Sequence, residues 1–510
     1  MALGLWLLAE SFSPLIRPSL SSVGNRPRIN RQKPEARSQK LEARSQKPKA
    51  RIQKPLLWYR LHPTRRIDNS AEDHMSNQIV WGAGRTTARR GAQTLAVAVL
   101  FLICVSCGET YRPVANPVIP NQPTPAFTHI VTVLSDNGAN NPGASSTLDV
   151  SGDTVLAQAR VGLGPMYAAL MPGPRVYVAN SLDDTVSVFN AGSATPVITV
   201  SLPSCATPPC SMPVFVGSTE TASVYVANSK SGTVSAITTL NNVVTNTITV
   251  GTNPVALAET PDQLKVYVAN QGSNGGGGSV TAINTVDKSV VVNPPLAGFG
   301  WVSPVWVVAR SDSQKVYVLD QGSGLVAVID TGLDAVVNSV PVGVGANFMV
   351  YDPKLNRIYV VNPAANTVTA LDASSDTLPA RSISVADPKS VAALPDGTRF
   401  YVSSASVSGG TVTSKVTVIN AADFSVRRTI PLTSVPAICA VKTWAELGMV
   451  AAADASRVYV GNCDAGNTAI IQTSNDTLVL QMPAPVSAQP PPKPGGTPPP
   501  QNPVFLVAGP

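Results

Sequence analysis

VYVANSLDDTVSVFN (residues 176–190) is followed 48 residues later by VYVANSKSGTVSAIT (residues 224–238). Each text contains two short runs in which apolar, often β-branched residues alternate with polar ones, split by a polar turn. Period-2 alternation with a turn of this kind is the signature of two paired strands. Working outward, the same Tyr-centred string recurs at Tyr177, Tyr225, Tyr267, Tyr317, Tyr359, Tyr401 and Tyr459, with spacings of 48, 42, 50, 42, 42 and 58. A period of about 42 with insertions matches a four-stranded propeller blade.

Other positions keep the same frame. Three residues after each Tyr stands a turn-forming polar residue: Asn180, Asn228, Asn270, Asp320, Asn362, Ser404 and Asn462. Asn190, Thr238, Asp330, Asp372 and Gln472 stand 13 residues after theirs, whereas Asn284 and Asn420 stand 17 and 19 after, through longer loops. Pro165, Pro213, Pro254, Pro304 and Pro388 lie 12 or 13 residues upstream. Each unit therefore reads as strand A after a proline, strand B (VYVAN), strand C (TVSVFN, LVAVID, TVTALD) and strand D (TITV, SISV). The Tyr residues are expected to pack between strands, and the Asn and Asp residues to satisfy turn backbone.

These texts resemble the YVTN family of β-propeller repeats over roughly residues 127–480. The resemblance implies a propeller fold, export and a binding or scaffold role. It implies no catalytic residue, because the family motif is structural.

The expected fold is an all-β propeller of four-stranded blades, with eight blades predicted. Residues 129–162 supply strands B, C and D of a further unit, with Thr132 in the Tyr place and Asp149 17 residues after it. Its strand A is missing, and NPVFLVAGP (502–510) matches NPVALAETP (253–261) at five of nine positions. Pairing of the N- and C-terminal strands would close the ring and remove free sheet edges. Seven blades is the alternative, since members of the resembling family are commonly seven-bladed. Residues 483–503, with ten prolines, make a long linker, and Asn116-Pro117-Val118 offers a local strand A.

The net charge of +7 (37 Lys+Arg against 30 Asp+Glu) splits unevenly: residues 1–106 carry 18 − 6 = +12 and residues 107–510 carry 19 − 24 = −5. The basic charge belongs to the leader, so the propeller itself is not expected to bind nucleic acid. Residues 1–74, with the heptads PEARSQK, LEARSQK and PKARIQK, read as a mis-assigned start or a disordered basic leader. Residues 75–106 read as a signal peptide: Met75, an Arg-bearing n-region, then an apolar run from Leu95 to Val105. Its end at Ser106-Cys107-Gly108 resembles a bacterial lipobox and implies lipidation of Cys107, hence a membrane anchor. A plain cleaved signal is the other reading. Residues 107–126 then form a Pro-rich tether, 127–481 the propeller, 482–501 a Pro-rich linker and 502–510 the closing strand.

Cys205, Cys210, Cys439 and Cys463 remain. In an oxidising compartment they suggest two disulfides, with 205–210 and 439–463 the simplest of three pairings. Zinc is the competing reading, but neither pair has a second CxxC or a nearby His. No metal or cofactor is expected.

In a propeller the B–C and D–A loops share one face, and the A–B and C–D loops share the other. Insertions at 137–147, 271–279 and 404–415 are assigned to B–C loops, and those at 203–212 and 293–303 to D–A loops. The excess near Trp444 is assigned to an A–B loop. Asn274, Phe299 and Trp301 mark the candidate binding face, the two aromatics read as exposed, while Trp306 within strand A reads as core. The segment after residue 106 has one His, His129, which gives poor support for a hydrolase. The leading expectation is a non-catalytic, monomeric, exported lipoprotein that presents a loop face to a protein, glycan or small ligand. The alternative is a lactonase-like or quinoprotein-like enzyme.

Overall fold

The computed structural model describes residues 129–192, 197–203, 209–219, 222–273, 277–291, 296, 298–375, 379–439, 444–485 and 502–509. The leader, signal, tether, Cys107, Cys205, Asn274 and most of the Pro-rich linker lie outside these residues. The described chain forms eight four-stranded antiparallel sheets, the blades of an eight-bladed propeller.

Blade 2 shows the common plan: strand A is Pro165–Met171, B is Arg175–Asn180, C is Thr185–Asn190 and D is Ile198–Ser201. Strands B and C are buried almost throughout, as suits apolar texts pressed between neighbouring blades. Strand D is mostly exposed: in blade 3 it is Val243–Thr249, VVTNTIT, with only Ile248 buried. Strands A of successive blades pack on one another around the axis.

Blade 1 is assembled from both ends of the domain. Its strands B, C and D are Ile130–Asp136, Pro142–Asp149 and Thr154–Leu163, and its strand A is Asn502–Ala508. Thr132 pairs with Val507 and Leu134 with Phe505. This is the register in which Tyr225 pairs with Gly217 and Ala227 with Phe215 in blade 3. Thr132 therefore does occupy the Tyr place, and the ring has eight blades rather than seven.

All seven repeat Tyr residues are fully or almost fully buried. Most of their hydroxyls reach the C–D turn of the following blade, always at the fourth residue past strand C. Tyr177 donates to Asn242 Oδ1 (2.8 Å), Tyr267 to Asp334 Oδ1 (2.5 Å) and Tyr401 to Asp476 Oδ1 (2.5 Å). Tyr225 instead accepts from Lys288 Nζ at 2.6 Å. These turn residues have left-handed backbones (φ 56° at Asn242, 61° at Lys288, 49° at Asp334, 54° at Asp476), a region that Asn and Asp tolerate well. Blade 7 breaks the pattern. Phe424 (φ 63°) stands at that place, and the buried hydroxyl of Tyr359 makes no hydrogen bond to the turn; its polar neighbour is the Arg357 guanidinium. The neighbouring Arg357 is engaged with Ala421 O.

Eight of the polar residues at strand ends fall into two sets. Asp149, Asn284, Asp330 and Asp372 accept turn backbone N–H groups, as expected. Asn180, Asn228 and Asn270 instead donate to strand-C hydroxyls, and Asp320 accepts from Val302 and Ser303 N in the preceding D–A loop.

Two loop assignments need correction. Residues 404–415 are not a loop: strands B (Arg399–Ser408) and C (Thr411–Asn420) of blade 7 stay paired to a tight Gly409-Gly410 turn. The excess near Trp444 lies in the D–A connection of blades 7 and 8, not in an A–B loop. It lengthens strand D (Val426–Pro436) and adds a single 3₁₀ turn, Trp444–Leu447, ahead of strand A (Met449–Ala451). Cys439 in this connection is bridged to Cys463 in the B–C turn of blade 8, with Cα atoms 5.5 Å apart. Cys210 is also disulfide-bonded.

Candidate ligand-binding channel

The residue two places after the proline of strand A points toward the axis. In four blades it is aromatic: Tyr167, Phe215, Trp306 and Phe505. Phe348 takes the same place in blade 6, whose strand A lacks the proline, and Trp444 fills the place of blade 8 from the D–A connection. Their rings meet across the channel. Tyr167 lies 3.9 Å (centroid to centroid) from both Phe215 and Phe505, Trp306 4.8 Å from Phe348 and 5.0 Å from Trp444, and Phe348 5.2 Å from Trp444. Edge-to-face and offset arrangements at these separations are favourable beyond simple burial. Together the rings form a floor across the channel near the D–A face.

On the other side of this floor lies a cavity of about 550 Å³. Its walls are the later residues of the strands A that alternate toward the axis, among them Ala169, Gly217, Ala258, Val308, Val350 and Val507. Its lining reaches the A–B turns at Thr219, Pro353 and Pro395, so its mouth opens on the A–B and C–D face. That is the face opposite the one expected to carry the ligand.

Two carboxylates stand in this apolar wall. Glu259, the last residue of strand A in blade 4, is 3% exposed. Its Oε2 accepts from Thr219 N (2.7 Å), Thr219 Oγ1 (3.0 Å) and Ser218 Oγ (3.1 Å), whereas its buried Oε1 has no partner. Desolvation pushes its carboxyl above the ordinary range, against the pull of these hydrogen bonds and of Lys288. Asp352 ends strand A of blade 6, and its Oδ1 accepts from Lys354 N (2.9 Å) and Leu355 N (3.2 Å). Burial raises its pKa as well. No Lys, Arg or His stands among the described lining residues.

The residues first read as a binding face behave differently. Trp301 is buried, 5% exposed, because its indole N–H is satisfied by Leu296 O at 2.8 Å and its ring packs into the core. Its reading as an exposed aromatic is therefore corrected. Phe299 is half-buried against the same core, 4.6 Å from Trp301, and Asn274 lies outside the described residues. Trp306 is buried in the core, as read, and its ring is also part of the channel floor. His129 stands one residue ahead of the first strand. The floor residues were missed as a group. Their signal was the recurring aromatic two residues after a strand-A proline, which becomes meaningful only when the eight strands face one axis. Among the described residues, no group of three or more His, Cys, Asp or Glu side chains gathers at metal-binding distance.

No known family model matches the chain, and no curated protein matches it. Among solved structures, apo AztD from Citrobacter koseri superposes with a TM-score of 0.53 at 11% identity, covering 74% of this chain and 97% of that one. Kuenenia stuttgartiensis hydrazine synthase gives 0.44 at 19% identity over 61% of this chain and 96% of that one. Virginiamycin B lyase from Staphylococcus aureus gives 0.41 at 13% identity over 59% and 92%. At such identities the likeness is one of fold: the chain is similar to AztD in being a β-propeller.

Proposed function

We propose that this protein is a ligand-binding propeller whose small-molecule ligand sits in the blind central channel. We further propose that it acts exported, held at the cell envelope by a lipid on Cys107. The reading is carried by one observation: a cavity of about 550 Å³ with an aromatic floor and apolar walls. Ligand sites are characteristically concave, mostly apolar, within roughly 300–1,000 Å³, and carry few polar groups. The export reading is supported by the order of Arg-rich, apolar and Ser-Cys segments at 75–107.

Titration with the neutral fluorophore N-phenyl-1-naphthylamine tests the channel. Saturable one-to-one binding is expected, and Ala258→Trp, which places a large ring in the cavity, should abolish it. Binding unchanged in that variant would place the site elsewhere and overturn the reading.

A further inference from the structure

We propose that the channel selects an organic cation: a tertiary or quaternary ammonium group carried on an apolar body. The inference rests on the channel-site reading above and adds the charge of the ligand. Three features of the cavity converge on it.

The floor brings the rings of Tyr167, Phe215, Trp306, Phe348, Trp444 and Phe505 to the cavity lining. Aromatic faces attract cations, and Trp does so most strongly. A weakly hydrated ammonium loses little on leaving water, whereas a compact, strongly hydrated ion loses much.

The wall carries Glu259 and Asp352, with no basic side chain among the described lining residues. In a poorly solvated cavity these carboxylates act over longer distances than in water. An anionic ligand would meet two acidic groups, and the cations that act on them, Lys288 and Arg357, lie outside the lining.

Glu259 also has an open account of its own. Its Oε2 takes three hydrogen bonds, while its Oε1, equally buried, takes none. A buried carboxylate oxygen without a partner is a costly arrangement in an empty site. A cation held in the cavity would compensate it electrostatically without needing a hydrogen bond, since an alkylated ammonium has few or none to give. The walls, from Ala169 to Val507, suit the apolar body.

Three probes with a common phenylalkyl body separate the possibilities: 3-phenylpropyltrimethylammonium, 3-phenylpropan-1-ol and 4-phenylbutanoate. Binding is read by calorimetry and by the emission of Trp306 and Trp444. The cation should bind at least tenfold more tightly than the alcohol, and the carboxylate more weakly than the alcohol. Glu259→Gln should cost the cation about tenfold and leave the alcohol unchanged, with Asp352→Asn as a second, independent variant. Trp444→Leu should weaken both cation and alcohol. If alcohol and carboxylate bind as tightly as the cation, the channel site stands and its preference for cations is overturned. If none of the probes binds or perturbs tryptophan emission in the folded protein, the channel-site reading itself fails.

Discussion

The hydroxyl of Tyr459 in blade 8 donates to Asp153 Oδ1 in blade 1 at 3.1 Å, across 306 residues of sequence. Arg457 Nε reaches the other oxygen, Asp153 Oδ2, at 3.0 Å. This is the same Tyr-to-turn latch that joins blade 2 to blade 3 and blade 4 to blade 5, now closing the circle. Asp153 has φ 50°, like its counterparts in the other turns. Replacing Asp153 by Ala should destabilise the protein by about 1–3 kcal/mol, since a buried hydroxyl and a guanidinium lose their acceptor. Asn, which tolerates the left-handed backbone and keeps one acceptor, should recover much of that loss. Thermal melts of both variants check the order.

Deleting residues 502–510 removes strand A of blade 1 and the buried side chains of Val504 and Leu506. At about 1.5–3 kcal/mol per fully buried side chain, the loss rivals the net stability of many domains. The melting temperature should fall sharply, and the bared edge of Ile130–Asp136 should promote association, visible in light scattering. Unaltered melting would contradict the ring closure.

Tyr359 and Tyr401 occupy equivalent places but should respond oppositely to loss of their hydroxyls. Tyr401→Phe leaves the buried Asp476 with one partner fewer and should cost about 1–3 kcal/mol. Tyr359→Phe removes a buried hydroxyl whose polar neighbour, Arg357, is already bonded to Ala421 O, and should be neutral or stabilising by up to about 1 kcal/mol. Chemical denaturation of the two variants side by side is the measurement.

Cys439 and Cys463 close a loop with a sequence separation of 24. Chain-entropy estimates for a loop of this size give about 3 kcal/mol. The Cys439→Ser/Cys463→Ser pair should lose about that much, and reduction of the native protein should lower its melting temperature similarly.

Burial raises the pKa of Glu259 above its ordinary 4.5, so the folded state holds this proton more firmly than the unfolded chain. Above pH 4.5 the unfolded state therefore binds fewer protons, and this group's contribution to stability falls as pH rises. Glu259→Gln removes that dependence. The stability of the variant relative to the native chain should grow as pH is raised from 4.5 toward neutrality, whatever the offset at acid pH.

Much of this fold was legible because period-2 text and a fixed Tyr frame report local geometry directly. Thr132 could be placed in the Tyr position, and Asn502–Pro510 in strand A, by counting alone. Loop assignment was harder: residues 404–415 carry Ser, Thr and Val in alternation, and a longer hairpin and a longer loop look alike in such text. Trp444 was misplaced because blade 8 has no proline to mark its strand A. The channel floor depends on eight strands meeting at one axis, so Phe215 and Phe505 are neighbours of Tyr167 only after closure. Trp301 misled because a Gly-flanked tryptophan suggests exposure, while the nearby Leu296 carbonyl supplies the partner that lets it go inside.

The split blade also has a consequence in time. Ile130 and Asn502 are 372 residues apart, and at a synthesis rate of about 5–20 residues per second the inner strand of blade 1 arrives roughly 20–75 s after its neighbour. Until then the first blade presents a bare inner edge, and every later blade stacks on an unfinished one. Ring closure is thus a distant, slow contact, and a factor that shields strand edges would matter most to this protein before its C-terminal strand is in place.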